Sequence, residues 1–259
     1  MWSQGHSHCN SVASNIQCWS LVDLTSPFTV AALSHTATPK RTEYPSQPPG
    51  RGEHSMRTIS NSNIRPRKSM EYSVQLIQPD EAGVDLFLTR YKPFRLAALQ
   101  NEPSFFASTY TREVSMADDF WRGRLLNPNA KTFVAIQKHD GDILSSVTIV
   151  RDVSVPKGVK TQLGLEADHE ATQQVSHWEV NAVYTAPGAR RRGLGRRVME
   201  AAAKEAQEVA DSEGKPCLIT VLVKRKNAAA RILYERAGFQ VLGDDDGDDA
   251  LRLFLWTAR

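Results

Sequence analysis

The sequence has 259 residues and a formal net charge of +3, and the excess of basic residues lies in its first part. Residues 1–69 hold seven Lys or Arg and three acidic residues, a net of +4, so the other 190 carry 25 basic and 26 acidic residues, a net of −1. The rest of the chain therefore lacks the basic bias of a nucleic-acid-binding domain, and no run of 18 apolar residues indicates a membrane span. Cys9, Cys18 and Cys217 form no CxxC pair, which argues against a metal site or a disulfide framework. We expect a cytoplasmic protein without a metal, nucleic-acid or membrane partner; a nuclear or mitochondrial location and the oligomeric state stay open.

The N-terminal part differs from the rest of the chain in composition. Residues 1–69 are rich in Ser, Thr, Pro, Asn and His, and a segment such as 44–50 (YPSQPPG) can neither nucleate a helix nor join a strand ladder. Such a composition is typical of a low-complexity, disordered chain. We predict a disordered N-terminal extension over residues 1–69 and one globular domain over residues 70–259.

From Glu71 onward, segments with strand and helix periodicity follow one another. The elements predicted in this first half are a strand at 72–77, helical segments at 79–102 and 115–126, and strands at 132–136 and 143–150. Pro93 should interrupt the first helical segment, and Phe120, Trp121 and Leu125 are the core-facing candidates of the second. Residues 152–174 are polar and without a period, and a connection of this length inside a domain is usually functional or mobile.

The second half of the domain continues the alternation. Its predicted elements are a strand at 175–184, a helix at 194–211, a strand at 217–223, a helix at 228–236 and strands at 239–242 and 251–256. The run at 217–223 (CLITVLV) is the most continuously apolar in the chain, as expected of a central strand that is buried on both faces. The order β-α-α-β-β-β-α-β-α-β-β predicts a mixed α/β sheet.

The segment Arg190-Arg191-Arg192-Gly193-Leu194-Gly195 joins a predicted strand to a predicted helix. Free backbone N–H groups at the first turn of a helix can hold a phosphate, and the glycines allow its close approach. The arginines would otherwise form a solvated basic patch, a nuclear-localisation signal or a nucleic-acid cluster. A dinucleotide fingerprint is poorly supported because Arg196-Arg197-Val198 lacks the third small residue, and a P-loop would need a Gly-Lys-Ser/Thr ending.

Two segments together resemble the GNAT superfamily of N-acetyltransferases. The family's pattern after strand four is Gln or Arg, any two residues, Gly, any residue, then Gly or Ala, and Arg190 to Gly195 fits it. Residues 227–239 (NAAARILYERAGF) are similar to the family's Asn…Ala…Tyr…Gly-Phe segment after strand five. Residues 94–106 (FRLAALQNEPSFF) are similar to the segment between the first two helices of one GNAT branch. The order of elements matches from about residue 71 to residue 257.

The resemblance implies that acetyl-CoA is the acyl donor. Its pantetheine arm would lie along strand four, where a bulge splays this strand from strand five, and backbone groups of Val183 and Thr185 would pair with the arm and polarise the thioester carbonyl. The pyrophosphate would lie on the N–H groups of about Arg191 to Arg196, and Asn227 would lie near the arm. The donor-binding residues implied in this way are Val183, Thr185, Arg190, Arg191, Arg192, Gly193, Leu194, Gly195, Arg196 and Asn227.

The resemblance also implies direct attack of a neutral primary amine on the thioester. Tyr234 matches the family's tyrosine that gives a proton to the leaving thiolate, and Glu179 is the first candidate for the base. A water chain in place of Glu179 stays open, as do an ion-paired surface role for Glu179 and a packing role for Tyr234. Cys217 is expected to be a small buried hydrophobe and not a nucleophile.

The acceptor cannot be identified from the sequence, but the connection at 152–174 is expected to flank its site. A small-molecule amine is slightly favoured over a protein lysine or N-terminus, because no extra docking module is visible. The acidic residues Asp244, Asp245, Asp246, Asp248 and Asp249 either form a soluble hairpin turn or attract a cationic amine. One rival is a non-catalytic acyl-CoA-binding or regulatory protein, and another is a nucleic-acid binder that uses the arginine cluster.

Overall fold

Seven strands form one mixed sheet in the computed structural model of the protein, which describes residues 71–151, 153–165, 174–242 and 249–258. The strands are β1 (Tyr72–Leu76), β2 (Ala130–Gln137), β3 (Ile143–Arg151), β4 (Ser176–Thr185), β5 (Cys217–Lys224), β6 (Gln240–Val241) and β7 (Ala250–Thr257). Their spatial order is β1-β2-β3-β4-β5-β7-β6, and only β4 and β5 run parallel to each other. The predicted mixed α/β fold class is confirmed. The predictions for residues 1–69 fall outside the described residues.

Helices cover both faces of this sheet. They are α1 (Glu81–Leu86), α2 (Lys92–Asn101), α3 (Tyr110–Val114), α4 (Asp118–Leu125), α5 (Lys157–Leu163), α6 (Leu194–Ser212) and α7 (Ala228–Arg236). Helix α5 lies in the connection at 152–174, which the sequence predicted to be irregular. It has seven residues, of which only Val159 is buried, so its apolar period is too short to be visible in the sequence. No helix in the described part of the chain has the length and apolar character that crossing a membrane requires.

Helix α6 packs on one face of the sheet through a stripe at helical spacing. The buried residues of this stripe are Leu194, Val198, Met199, Ala202, Ala206 and Ala210. They pack with Trp178 and Val180 of β4 and with Ile219 and Val221 of β5. The small alanine side chains bring the helix close to these two central strands. This packing fixes the N-terminal end of α6 beside the end of β4.

Helices α1 to α4 pack on the opposite face. Val134 of β2 contacts this layer, whereas its neighbours on the strand pack on the α6 side, because side chains alternate along a strand. Trp121 and Leu125 are buried here as predicted, and Phe120 is partly buried. A third hydrophobic cluster joins Val159 of α5 to Leu218 of β5, on the face opposite α6 because Cys217 and Ile219 pack on the α6 side. The described residues therefore form one cluster on the α6 face and two on the opposite face.

A buried ion cluster joins α2, α3 and α4. The carboxylate of Glu113 accepts hydrogen bonds from Arg95 at 3.0 Å and from Arg124 at 3.1 Å. Burial alone would raise the pKa of Glu113, but the hydrogen bonds and positive charges of the two arginines lower it to about 2. The carboxylate is therefore ionised throughout the neutral range, and it holds three short helices together.

Pro93 does not interrupt the first helical segment, and that prediction was wrong. A π-helical turn at Phe87–Tyr91 lies between α1 and α2, and Pro93 occupies the first turn of α2. The backbone N–H of Lys92 donates to the carbonyl of Phe87, five residues earlier. Since proline lacks an N–H and crowds the preceding turn, the wider π turn lets the chain continue as a helix.

His177 connects β4 to the chain segment before α5. Its Nδ1 lies 2.9 Å from the carbonyl oxygen of Val153, so Nδ1 carries the proton, and Nε2 accepts from the Thr220 hydroxyl at 2.9 Å. Burial lowers the pKa of His177 to about 4, and the positive charge of Arg252 acts in the same direction. The imidazole is therefore neutral in the folded protein at neutral pH.

We expect the free energy of unfolding to fall as the pH drops from about 6.5 towards about 4. In this range His177 takes up a proton in the unfolded chain but not in the folded one, so stability is lost at up to about 1.4 kcal/mol per pH unit. Urea unfolding between about pH 7 and pH 5 should show a smaller loss in His177→Gln than in the wild type. The control His139→Gln changes an exposed histidine and should follow the wild type. Identical pH dependence of the wild type and His177→Gln would contradict the assignment of this loss of stability to His177.

Candidate functional site

The two parallel central strands separate along their length. Pairing between β4 and β5 joins Ser176–Val180 to Cys217–Val221 and ends there, although β4 continues to Thr185 and β5 to Lys224. Leu222 is 42% exposed even though its strand lies inside the sheet. An opening between the strands therefore begins beyond Val180, and the backbone along it is available to a further extended segment.

A bulge in β4 lies beside this opening. Ser146 is paired with Tyr184 and Thr148 with Asn181, so one residue of β3 faces both Ala182 and Val183 of β4. Ala182 has a φ of 53°, in the left-handed region that a side chain with a Cβ rarely adopts. A bulge bends a strand and redirects its backbone groups. Val183, predicted to bind the donor, is therefore part of this bulge.

Two serine hydroxyls fasten the bulge on the side away from the opening. The Ser145 hydroxyl donates to the carbonyl of Tyr184 at 3.1 Å, and the Ser146 hydroxyl donates to the carbonyl of Ala182 at 3.2 Å. Both serines are buried. These two serines were not among the predicted site residues, although two adjacent serines in the largely apolar strand 143–150 were a visible signal.

The turn between β4 and α6 has the backbone geometry of an anion site. Arg191 has a φ of 61° and Gly193 a φ of 80°, and Gly193 is the N-cap of α6 without a side-chain capping bond. The first N–H that bonds within the helix is that of Arg197, to the carbonyl of Gly193 at 3.1 Å. The N–H groups of Leu194 and Gly195 precede it at the positive end of the helix. Phosphate binding at this predicted position stays a prediction.

The arginine side chains of the turn differ in their contacts. Arg190 donates from Nε to the carbonyl of Thr185 at 3.0 Å and from Nη2 to Glu102 at 2.8 Å. Arg196 forms an ion pair with Glu200 on the surface of α6. Arg191 and Arg192 are exposed and form no hydrogen bond or ion pair with another described residue. These last two supply the positive charge that is available to an anion here.

Gly195 brings three elements of the site together. A Cβ at this position would lie 3.3 Å from Oγ1 of Thr185 in β4 and 3.5 Å from Cδ2 of Leu233 in α7. The Thr185 hydroxyl is itself held by Ser145 at 2.8 Å. The end of β4, the start of α6 and the middle of α7 therefore meet where the turn begins its helix.

Tyr234 and Asn227 belong to α7. The Asn227 side chain accepts from the N–H of Ala230 at 3.1 Å and caps the helix. Tyr234 is buried on the α6 side of the sheet against Phe239, with 5.7 Å between the ring centroids. Burial raises the pKa of its phenol above the ordinary value, so the hydroxyl keeps its proton. No hydrogen-bond partner for this hydroxyl occurs among the described residues.

Glu179 lies on the other side of the opening. It is half-buried in β4, paired with Val150 and Thr220 on the neighbouring strands. Since Trp178 and Val180 pack on the α6 side, Glu179 points to the face covered by α1 to α5. Asn181 follows it on this face, with a buried side-chain nitrogen that has no hydrogen-bond partner in the described part of the chain. Glu179 and Tyr234, predicted as base and acid, thus lie on opposite faces of the sheet.

Other predicted features are only partly within the described residues. Of the acidic segment at 244–249 only Asp249 is described, and it pairs with Lys224 at 3.1 Å. Residues 166–173 of the connection expected to flank the acceptor also lie outside the described part. Among the described residues, no group of three or more His, Cys, Asp or Glu side chains is arranged to hold a metal ion.

Comparison with known proteins gives one family and many similar folds. Residues 130–241 match the family model of the acetyltransferase (GNAT) domain. A candidate acetyltransferase from Acinetobacter baylyi ADP1 is 16% identical with a TM-score of 0.52, over 73% of this chain and 94% of that one. A candidate acetyltransferase from Salmonella typhimurium, solved with its cofactor acetyl-CoA, is 15% identical with a TM-score of 0.48, over 73% and 95% of the two chains. NAA60 from Arabidopsis thaliana, in complex with acetyl-CoA, is 12% identical with a TM-score of 0.48, over 72% and 98%. No curated protein matches the sequence significantly.

We expect Gly193→Ala to destabilise the protein by about 1 kcal/mol, because a residue with a Cβ is strained at a positive φ. A Cβ there would meet no atom within 4 Å, so the cost is one of backbone conformation and not of crowding. Gly188→Ala is the matched control in the preceding turn, since it is equally uncrowded and has no positive φ. Denaturant unfolding should leave the control within about 0.5 kcal/mol of the wild type. Equal stability of both variants would show that the turn does not hold this geometry in solution.

Proposed function

Since this chain belongs to the GNAT acetyltransferase family through its domain at residues 130–241, we propose that it transfers an acetyl group from acetyl-CoA to a primary amine in one direct step. The observation that carries the proposal is the opening between β4 and β5 beyond Val180, which leads to the free N–H groups at the start of α6. An extended chain that ends in a diphosphate matches this combination of an unpaired strand edge and an anion site.

The donor site fits coenzyme A in charge and in backbone geometry. Backbone groups of Val183 and Thr185 would pair with the pantetheine arm at the edge that β5 leaves open. The pyrophosphate would be held by the N–H groups of the turn from Gly193 to Arg196, with charge from Arg191 and Arg192. The Asn227 amide, fixed as a helix cap, would lie beside the arm. Acetyl-CoA supplies the acyl group, and the chain supplies binding, orientation and proton transfer.

The bulge would polarise the thioester. A backbone N–H at Val183, redirected by the left-handed Ala182, would donate to the carbonyl oxygen as negative charge develops on it. A donor that is fixed before the reaction can supply a few kcal/mol of transition-state stabilisation. The buried hydroxyls of Ser145 and Ser146 keep the bulge from relaxing.

Proton transfer would occur on both sides of the opening. The amine attacks only when it has lost its proton, and Glu179, or a water chain in its place, would accept this proton on the face of α1 to α5. Tyr234 would return a proton to the leaving thiolate from the α6 side. Its raised pKa supports the acid role, because the phenol is still protonated when the thiolate forms.

The acceptor is proposed to be a small-molecule amine in preference to a protein lysine or N-terminus. The carboxylate of Glu179 gives the acceptor face a group that attracts a cation. The alternative is an acyl-CoA-binding protein without turnover, which would use the same turn.

An acceptor screen tests the function directly. A panel of amines, read by release of free thiol from acetyl-CoA, should contain at least one that the wild type turns over. Tyr234→Phe should lower kcat for that amine by about 10²- to 10⁴-fold, because it loses the acid and keeps the ring. Tyr110→Phe makes the same chemical change on α3 and should keep the wild-type rate. Binding of acetyl-CoA without thiol release for every amine would support the non-catalytic alternative, and a fully active Tyr234→Phe would contradict the acid role.

Coenzyme A should raise the melting temperature of the protein, whereas an oligonucleotide should not, because the anion site is a single turn. Arg192→Gln removes one exposed charge and should weaken coenzyme A binding, more at low salt than at high salt. Differential scanning fluorimetry at two salt concentrations measures both effects. Stabilisation by the oligonucleotide with none by coenzyme A would favour a nucleic-acid binder instead.

A further inference from the structure

The C-terminal end of α2 is attached to the end of β4 by two consecutive residues. The side-chain nitrogen of Asn101 donates to the hydroxyl of Tyr184 at 3.1 Å. The next residue, Glu102, accepts from Nη2 of Arg190 at 2.8 Å. These contacts join segments more than 80 positions apart in the chain, just beyond the bulge of β4.

Arg190 is the centre of this attachment. Its Nε donates to the carbonyl of Thr185 at 3.0 Å, and its guanidinium carbon lies 5.6 Å from the centroid of the Tyr184 ring. Nε and Nη2 of the planar guanidinium group are thus directed to β4 and to α2. A phosphate bound through the paired Nε and Nη2 donors would have to displace both protein acceptors, which leaves Nη1 and the second N–H of Nη2 as its only other donors.

We infer that Arg190 is a positioning residue that holds the end of α2 against β4, and that it is not a ligand of the donor phosphates. This inference rests on the proposed function only in assigning the turn to coenzyme A. The inference gives Arg190, the first residue of the turn, a different role from its neighbours Arg191 and Arg192, which have no such contacts with described residues.

The contacts of Asn101 and Glu102 with Tyr184 and Arg190 position the protein wall on the acceptor side of the opening. Tyr184 is enclosed by the rings of Phe94 and Phe106, at centroid distances of 5.4 and 6.3 Å, and these residues lie in α2 and just after it. Tyr184 and Asn181 point to the same face of the sheet as Glu179, because their partners on β3 are two residues apart. Holding the end of α2 therefore holds the wall beside which an amine would approach the thioester.

The effect of the attachment is expected to be local. The side chains of Arg190 and Glu102 are 41% and 27% exposed, and ion pairs this accessible to water contribute little to global stability. The attachment can still set the position of a helix end, because helix ends and the loops after them open most easily. Faster hydrogen exchange of backbone amides at this helix end alone would therefore distinguish a local role from a contribution to global stability.

Three variants test the inference. Arg190→Gln and Glu102→Gln each remove one partner, their combination removes both, and Arg192→Gln is the matched control in the same turn. Hydrogen exchange followed by mass spectrometry should show amides of residues 99–106 exchanging about two- to fivefold faster in either single variant, the change expected for an ion pair of this exposure. The double variant should exchange no faster than the faster single variant, because both remove the same contact. Arg192→Gln should leave this exchange unchanged.

Coenzyme A affinity, measured by calorimetry, should show the opposite pattern among these variants. Arg190→Gln and Glu102→Gln should change the Kd by less than about twofold, whereas Arg192→Gln should raise it by about two- to fivefold, the effect of one exposed charge. For an amine that the wild type acetylates, Arg190→Gln should raise the KM for the amine and leave the KM for acetyl-CoA unchanged.

Two results would overturn the inference. One is a loss of coenzyme A affinity in Arg190→Gln as large as that in Arg192→Gln, with normal exchange at residues 99–106. The other is normal exchange in Glu102→Gln, which would mean that the ion pair holds nothing in place. Failure of the wild type to bind coenzyme A would instead contradict the proposed function, and the exchange measurements would still decide the role of Arg190.

Discussion

The separation of β4 from β5 is the constraint on which the rest of the site depends. Buried strands normally pair along their whole length, because unpaired backbone N–H and carbonyl groups are costly away from water. Here the pairing stops at Val180 and Val221, in the middle of the sheet. Such an interruption persists only if β4 is held from its other side. The bulge at Ala182 and the buried hydroxyls of Ser145 and Ser146 provide that support.

The turn from Arg190 to Gly195 depends on the same separation of β4 from β5. Helix α6 can start close to β4 because Gly195 has no Cβ to meet Thr185, and because the helix packs through small residues. The free N–H groups of its first turn are thereby placed at the end of the opening and not beside it. An extended chain with an anionic end would span both. The geometry thus links the strand edge and the helix terminus into a single site.

Local features were predictable from the sequence, and contacts between distant segments were not. The period of α6, the apolar run of β5 and the spacing of Gly193 and Gly195 are properties of short stretches, and the structure has all three elements where they were expected. The π turn before Pro93 was missed, because a helix can absorb a proline by widening and the sequence gives no sign of it. The ion pair between Arg190 and Glu102 could not be predicted either, since it joins positions 88 residues apart. Three adjacent arginines look equivalent in the sequence, and only their surroundings distinguish them.

The positions of Tyr234 and Glu179 bear on the type of reaction. In a direct transfer, the amine loses a proton on one side of the thioester and the sulfur gains one on the other, so acid and base need not touch each other. Tyr234 on the α6 face and Glu179 on the opposite face fit this division of roles. A mechanism through an acyl-enzyme would require a nucleophile beside a base. Cys217 of β5 is buried, and burial raises the pKa of its thiol to about 12, so it lacks the thiolate that such a step needs.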